Sequence, residues 1–330
     1  MERSEVTKQI IKAVETAPSR EALAEYLGDM SRYLRPKEYS GKTSTLKEAM
    51  LKLISEIDSR SVEIRSRHRD LDQFFFLTPG LHVIAAPSGH GKTLWAMEWA
   101  ESAARSGLKV FVASLEMTPK DLGARKITGL IDLPLKEIIQ QRFSDVQKIM
   151  LKEIVESDAM AFSENIVIGT FDSLDWVKLY PSFTEMLIKI RPSLIILDYV
   201  QMIYDTGESD SRMSQRMANI ARELKVFADS SGIAVLMLSQ MNREVLKVCD
   251  PKVVQKVGHV PMNNSYIKES GGIVEAADSV QLVCIPSRFL NFPPEVANQF
   301  QVTVDKSRRL GQLGTAMLPF DQEKMQFIRG

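Results

Sequence analysis

The stretch Ala86-Pro87-Ser88-Gly89-His90-Gly91-Lys92-Thr93 constrains this chain more than any other. It follows the apolar run Leu81–Ala85 and opens into Leu94-Trp95-Ala96-Met97-Glu98-Trp99-Ala100, which reads as a helix. A strand, a glycine-rich turn and a helix in that order form a concavity. Successive backbone N–H groups converge there on an anion, at the positive end of the helix. Gly91 lets the backbone come close, Lys92 offers a point charge to β- and γ-phosphate oxygens, and Thr93 offers a hydroxyl to Mg²⁺. Pro87, Ser88, Gly89, His90, Gly91, Lys92, Thr93 and Leu94 are therefore expected to bind the phosphates of ATP. Gly-Lys-Thr alone is a common chance match, and the flanking strand and helix make the reading specific.

From Gly80 onward, short apolar runs alternate with amphipathic helices. The runs are Leu81–Ala85, Val110–Ser114, Ile166–Ile168, Leu194–Leu197, Ile233–Leu238, Ser279–Ile285, Phe300–Val304 and Thr315–Phe320. The expected helices are Lys92–Arg105, Pro119–Leu130, Ser144–Ala161, Leu174–Ile190 and Arg212–Ser230. Such alternation predicts an α/β fold, a mainly parallel sheet covered by helices on both faces. The last strands lack intervening helices and are expected to extend the sheet antiparallel. Upstream, Val6, Ile10, Ile11 and Val14, then Leu23, Tyr26 and Leu27, then Leu46, Met50, Leu53, Ile54 and Ile57 recur at helical spacing. Residues 1–61 thus read as a helical N-terminal region ending in a linker helix, and 62–330 as the main domain. The short helices form either a small bundle or an arm that buries its stripe on a neighbouring subunit, since a lone short helix is marginal in water.

A net charge of zero excludes a globally basic nucleic-acid binder, so any such binding must use a local patch or an assembled pore. Two cysteines, Cys249 and Cys284, make neither a disulfide framework nor a zinc site, and a cytoplasmic setting is expected. No apolar run reaches membrane-spanning length, and no membrane partner is expected.

A phosphate loop needs a carboxylate near the metal and a base for the attacking water. Asp198 ends the apolar run Leu-Ile-Ile-Leu-Asp and suits the first task, holding Mg²⁺ through water. Glu116 lies just beyond Val-Phe-Val-Ala-Ser, at the strand edge where α/β sheets bind ligands, and can deprotonate water. On its residues alone it could equally be a solvated loop glutamate. Gln240 ends another strand, where a neutral amide can orient the water or simply close the strand. Met241 to Ser270 is long and basic in places, with no clear strand; loops this long are functional or disordered.

Taken together these blocks resemble the motor domain of DnaB-family replicative helicases, a branch of the RecA-like fold. The resemblance runs in order from about Asp70 to the C-terminus. It covers V-I-A-A-P-S-G-H-G-K-T, V-F-V-A-S-L-E-M, L-I-I-L-D-Y-V-Q, L-S-Q-M-N-R-E, K-E-S-G-G-I-V-E-A-A-D and V-D-K-S-R-R. It implies Glu116 as catalytic base, Asp198 at the metal, Gln240 near the γ-phosphate, and Lys306 with arginine finger Arg308 acting on a neighbour's nucleotide. It also implies single-stranded DNA held through Arg243, Lys268, Glu269 and Gly271, a ring of six identical subunits, and a primase or helicase loader as further partner. Lys268 stands where the family usually has arginine. The segment after Arg308 is a residue longer than usual, so Arg309 competes for the finger role. The short N-terminal region fits a phage replication module. Two other readings share parts of the pattern. One is a RecA/RadA-type recombinase or mediator, and the other is an accessory ring using ATP only for assembly.

Overall fold

Near-continuous apolar strands have no wet face, so they must lie between helices, and the computed structural model puts them there. It describes residues 62–131, 133, 135–204, 213–247, 254, 256–268, 270–289, 298–322 and 324–328, with 45–47 and 50. The expected N-terminal helices therefore lie almost wholly outside the described residues.

The elements used below are helix α1 (Arg69–Asp72), strand β1 (Gly80–Ala86), helix α2 (Lys92–Arg105), β2 (Val110–Ser114), α3 (Pro119–Thr128), α4 (Leu135–Ile139), α5 (Asp145–Glu156), β3 (Ile166–Gly169), α6 (Trp176–Ile190), β4 (Leu194–Asp198), α7 (Met213–Ser231), β5 (Ala234–Gln240), α8 (Ser270–Ala276), β6 (Ser279–Cys284), β7 (Gln299–Ser307), β8 (Gly314–Asp321) and β9 (Gln326–Phe327). They build a nine-stranded sheet in the order β3-β2-β4-β5-β1-β6-β7-β8-β9. The strands from β3 to β6 in that order run parallel, and β7, β8 and β9 add on antiparallel.

Alternation along β1 splits the core in two. Leu81, Val83 and Ala85 pack with α6 and α7, through Phe183, Leu224 and Phe227. Ile84 and Ala86 pack with α2 and the antiparallel strands, through Trp95, Trp99, Phe300 and Phe320. Within that second layer Gln281 accepts hydrogen bonds from the indole N–H of Trp95 (2.8 Å) and of Trp99 (3.3 Å).

Helix starts follow local chemistry. Thr118 with Asp121, and Ser144 with Gln147, form reciprocal capping boxes, and Asp175 caps α6. The expected helix Ser144–Ala161 is corrected here. It stops at Glu156, because Ser157 turns extended (ψ 157°), and a 3₁₀ segment, Asp158–Asn165, follows. The Met241 to Ser270 region also differs from a plain loop: Met241 bridges Ile267 antiparallel, and two 3₁₀ turns lie within it. Helices α1, α4 and α8 are too short to leave a periodic signal and were not expected.

Candidate nucleotide-binding site

Parallel strands end together, and four of these ends carry the predicted site residues. Register pairs Ala86, the first residue of the phosphate loop, with Gln240. It pairs Ser114 with Asp198, so Glu116, two residues on, lies beside the end of β4. The Leu115 N–H donates to the Asp198 carbonyl at 2.8 Å. Since the order is β2-β4-β5-β1, Glu116, Asp198, Gln240 and the phosphate loop stand along one edge.

The loop keeps its shape through left-handed Gly89 (φ 77°) and Gly91 (φ 84°). At Gly91 a Cβ would also lie 2.7 Å from the Phe300 ring. Helix α2 has Gly91 at its N-cap, with no side-chain cap and no acidic residue in its first turn, leaving its positive end to an outside anion. Lys92 is largely buried, its ammonium 3.8 Å from Asp198 Oδ1 and 3.7 Å above the centre of the Tyr199 ring. Burial pushes the Lys92 pKa down, and the charges of Asp198 and Glu116 oppose that shift. Asp198 is 2% exposed. Burial raises its pKa, against the pull of Lys92 and a hydrogen bond from Thr93.

The Thr93 hydroxyl donates to Asp198 Oδ2 at 2.7 Å. Asp198 Oδ1 is buried with no hydrogen-bond partner among the described residues. A hydroxyl and a carboxylate with an unsatisfied oxygen are hard donors, and they suit Mg²⁺.

The His90 side chain turns inward, which leaves its place in the loop to the backbone N–H. Its ring lies 4.7 Å from that of Phe289, and its Nδ1 accepts the Ile285 N–H at 3.3 Å. Burial first, then the nearby Arg288 charge, lower its pKa to about 4, so it is neutral at pH 7. Ser88 and Gly89 are exposed and Pro87 is buried.

Gln240 is held by its backbone. Its N–H donates to the Gln201 side-chain oxygen at 3.1 Å, and its carbonyl accepts the Lys268 N–H at 2.9 Å. Gln201 also donates to the Ser239 hydroxyl at 2.7 Å. Arg243, Lys268 and Gly271 are exposed, while Glu269 lies outside the described residues.

Lys306 and Arg308 are not brought to this edge. β7 runs antiparallel, so Lys306 pairs with Val280 and Ser307 with Ser279, the partner of His82. The Arg308 N–H donates to the Asp278 carbonyl, and the Asp278 carboxylate accepts the Leu81 N–H. That puts Arg308 at the start of β1, roughly 15–20 Å of strand away from the phosphate loop. There the Arg308 guanidinium donates to the Glu275 carbonyl at 2.7 Å, and the Lys306 ammonium to the Val274 carbonyl. Arg309 contacts Asp229 at 3.5 Å, and Asp229 also pairs with Lys225.

Sequence reasoning missed Tyr199, Gln201 and Arg125. Arg125 acts on Asp198 by its charge and lines a cavity of about 660 Å³ beside Thr93, with Leu94, Met97, Lys126 and Phe327. Tyr199 and Gln201 immediately follow Asp198, and that adjacency was the available signal. Arg125 offered none.

A phosphate loop facing a strand-end carboxylate, on a parallel sheet extended antiparallel, defines a RecA-like nucleotide-binding domain. The chain belongs to the DnaB-like helicase C terminal domain family, whose model matches residues 63–329. It is 25% identical over 301 residues to the replicative DNA helicase DnaB of Geobacillus stearothermophilus, covering 88% of this chain and 63% of that one. It is 28% identical to the replicative DNA helicase DnaB of Pasteurella multocida (strain Pm70), covering 75% of this chain and 50% of that one. The chain thus spans half to under two thirds of these relatives' lengths. Among solved structures, one ATPase domain superposes with a TM-score of 0.72 at 23% identity, covering 87% of this chain and 99% of that one. A DnaB-like replicative helicase, described with its interactions with primase, gives 0.68 at 22%, covering 98% and 75%. Among the described residues no helix is long and apolar enough to cross a membrane.

Proposed function

We propose that this chain is the ATP-hydrolysing motor of a replicative DNA helicase, translocating on single-stranded DNA as a ring of identical subunits. One observation carries the reading: a nucleotide edge with phosphate loop, carboxylates and amide in line, and a Lys306/Arg308 pair at the opposite edge of the same sheet. The pair is too distant to serve its own nucleotide, but a head-to-tail neighbour brings one edge against the other. Repeated around a closed ring, that heterologous contact completes every site. Family membership and the relatives' names support the same reading.

In this mechanism the nest at the α2 N-terminus and Lys92 hold the ATP phosphates. Thr93 and Asp198 would hold a Mg²⁺ ion, which would supply positive charge to the phosphate oxygens. Glu116 takes the proton from the attacking water, and Gln240 orients that water against the γ-phosphate. Lys306 and Arg308 of the next subunit stabilise charge on the transferring phosphoryl group, an effect worth ~10³–10⁵ in rate. Arg308 suits the finger role better than Arg309, because Arg309 is held in the ion-pair network of Asp229. Arg243, Lys268 and the backbone N–H groups near Gly271 grip DNA phosphates in the ring's pore, and Glu269, which lies outside the described residues, belongs to the same DNA-contact segment of the sequence. Few aromatics interleave with these charges, which favours backbone tracking over base stacking. Residues 62–330 form the motor, and the expected helical region 1–61 lies almost wholly outside the described residues. Primase or a loader is a further partner, in a cytoplasmic setting.

The test is ATP-dependent unwinding of a forked duplex by the full chain. A helicase separates the strands. A recombinase would exchange strands, and a scaffold would do neither, so either outcome overturns the proposal.

A further inference from the structure

Strand β7 carries Lys306 and ends at Ser307, directly before Arg308, and it also carries two side chains that hold the loop after β5. Gln301 is fully buried. Its side-chain oxygen accepts the Val260 N–H at 2.7 Å, and its amide donates to the Val260 carbonyl at 2.8 Å. That is a two-point clamp on the backbone of one residue. The second amide hydrogen goes to the Thr303 hydroxyl at 3.0 Å, so both amide hydrogens and the oxygen are engaged inside the fold. Four residues along each chain, the Asp305 carboxylate accepts the Asn264 N–H at 3.0 Å.

A five-residue separation should put Gln301 and Lys306 on opposite faces of the sheet, because side chains alternate. A β-bulge prevents this. Lys306 pairs with Val280 and Val304 with Gln281, which leaves Asp305 as the extra residue. After the bulge Lys306 and Arg308 return to the face of Gln301, where they reach the last carbonyls of α8. One face of one strand therefore holds the loop at Val260 and Asn264 and the helix that follows it at Val274 and Glu275. Between these anchors lie Lys268 and Gly271. The other attachment of the loop is to the phosphate edge, where the Lys268 N–H meets the Gln240 carbonyl and the Asn242 N–H meets the Tyr266 carbonyl at 2.8 Å.

We propose that Gln301 and Asp305 are positioning residues that tie the DNA-contact loop to the strand bearing the trans-acting pair. Each subunit's loop is then linked to two ATP sites, its own through Gln240 and the neighbour's through β7. This rests on the reading above that Lys268 and Gly271 meet DNA and that Lys306 and Arg308 serve the adjoining site. Neither Gln301 nor Asp305 touches nucleotide or DNA in this account. Their loss should uncouple DNA binding from hydrolysis without impairing hydrolysis itself.

The experiment compares ATP hydrolysis by the full chain without DNA and at saturating oligothymidylate, so that altered DNA affinity does not enter the ratio. Asp305→Ala should hydrolyse ATP without DNA as the wild type does, yet lose about 5-fold or more of the DNA stimulation, the lower end of ordinary coupling between sites. Asp305→Asn keeps an oxygen for the Asn264 N–H and should restore stimulation, which a general loosening of the fold would not allow. Gln301→Leu should behave like Asp305→Ala, with melting temperature recorded alongside. Wild-type stimulation in both Asp305→Ala and Gln301→Leu overturns the link and leaves the motor reading intact. So does an equal fall of both rates that leaves the ratio unchanged. If the wild type itself is not stimulated by DNA, the motor reading fails and the link fails with it.

Discussion

Adding one methyl group at Gly91 should disable the phosphate loop, and the structure gives the size of the effect. Gly91 has φ 84°, a conformation costing an L-residue roughly 1–2 kcal/mol. Its new Cβ would sit 2.7 Å from Phe300 Cε2. That ring cannot retreat freely, being packed against Trp95 (5.8 Å), Phe320 (5.5 Å) and Phe327 (5.0 Å). Overpacking of this kind adds roughly 1–3 kcal/mol. The chain can relieve the strain by moving the loop outward, but phosphate binding needs the original loop, so the relieved strain reappears on binding. A return of ~2–3 kcal/mol raises the ATP dissociation constant roughly 30- to 150-fold. Gly107→Ala is the control. Its φ is 80°, yet nothing lies within 4 Å of its added Cβ. Both variants should lose stability, and only Gly91→Ala should lose ATP affinity, as measured by equilibrium titration with a fluorescent ATP analogue. Wild-type affinity in Gly91→Ala would refute the argument that this backbone cradles the phosphates.

Other outcomes follow from the same geometry. Lys92→Ala should abolish detectable ATP binding in the same titration, since no other ammonium lies over Asp198 and Tyr199 among the described residues. Glu116→Gln should bind ATP normally yet turn it over at least ~100-fold more slowly in a phosphate-release assay, the usual worth of a general base. His82 is fully buried, with Nδ1 2.7 Å from the Ser279 hydroxyl and Nε2 2.6 Å from the Thr78 carbonyl, and burial lowers its pKa to about 4. Below the ordinary histidine value the unfolded chain takes up a proton that folded His82 refuses, so stability falls with pH down to about 4 and then levels. The loss is roughly 3 kcal/mol across that window, and thermal melts at several pH values should show it, with a shallower slope in His82→Gln.

The strands of the sheet were legible because both faces are buried, which makes each an apolar run. Glu116, Asp198 and Gln240 were legible because each follows such a run directly. What escaped the sequence depends on contacts distant in the chain. Gln301 looks like a polar residue in a strand until Val260 is found against it. The bulge at Asp305 leaves no mark on composition. Helix α8 is shorter than the span a periodicity argument needs, and the break at Ser157 followed no proline or glycine. The inward packing of the His90 ring against Phe289 and Ile285 also left no mark on the sequence, and it leaves the backbone N–H of His90 in the phosphate loop.

The central claim is that one subunit's site is completed by Arg308 of the next. Among the described residues the Arg308 side chain makes one hydrogen bond, to a carbonyl at the surface, so Arg308→Ala should fold normally, at a cost of about 1 kcal/mol. Alone, Arg308→Ala and Glu116→Gln should both be nearly inactive as ATPases. Mixed in equal amounts, roughly a quarter of the interfaces pair an intact Glu116 with an intact Arg308, by random assembly around a ring. Hydrolysis should therefore recover towards a quarter of the wild-type rate. Mixed assemblies, confirmed by mass, that remain as inactive as the separate variants would contradict the shared site.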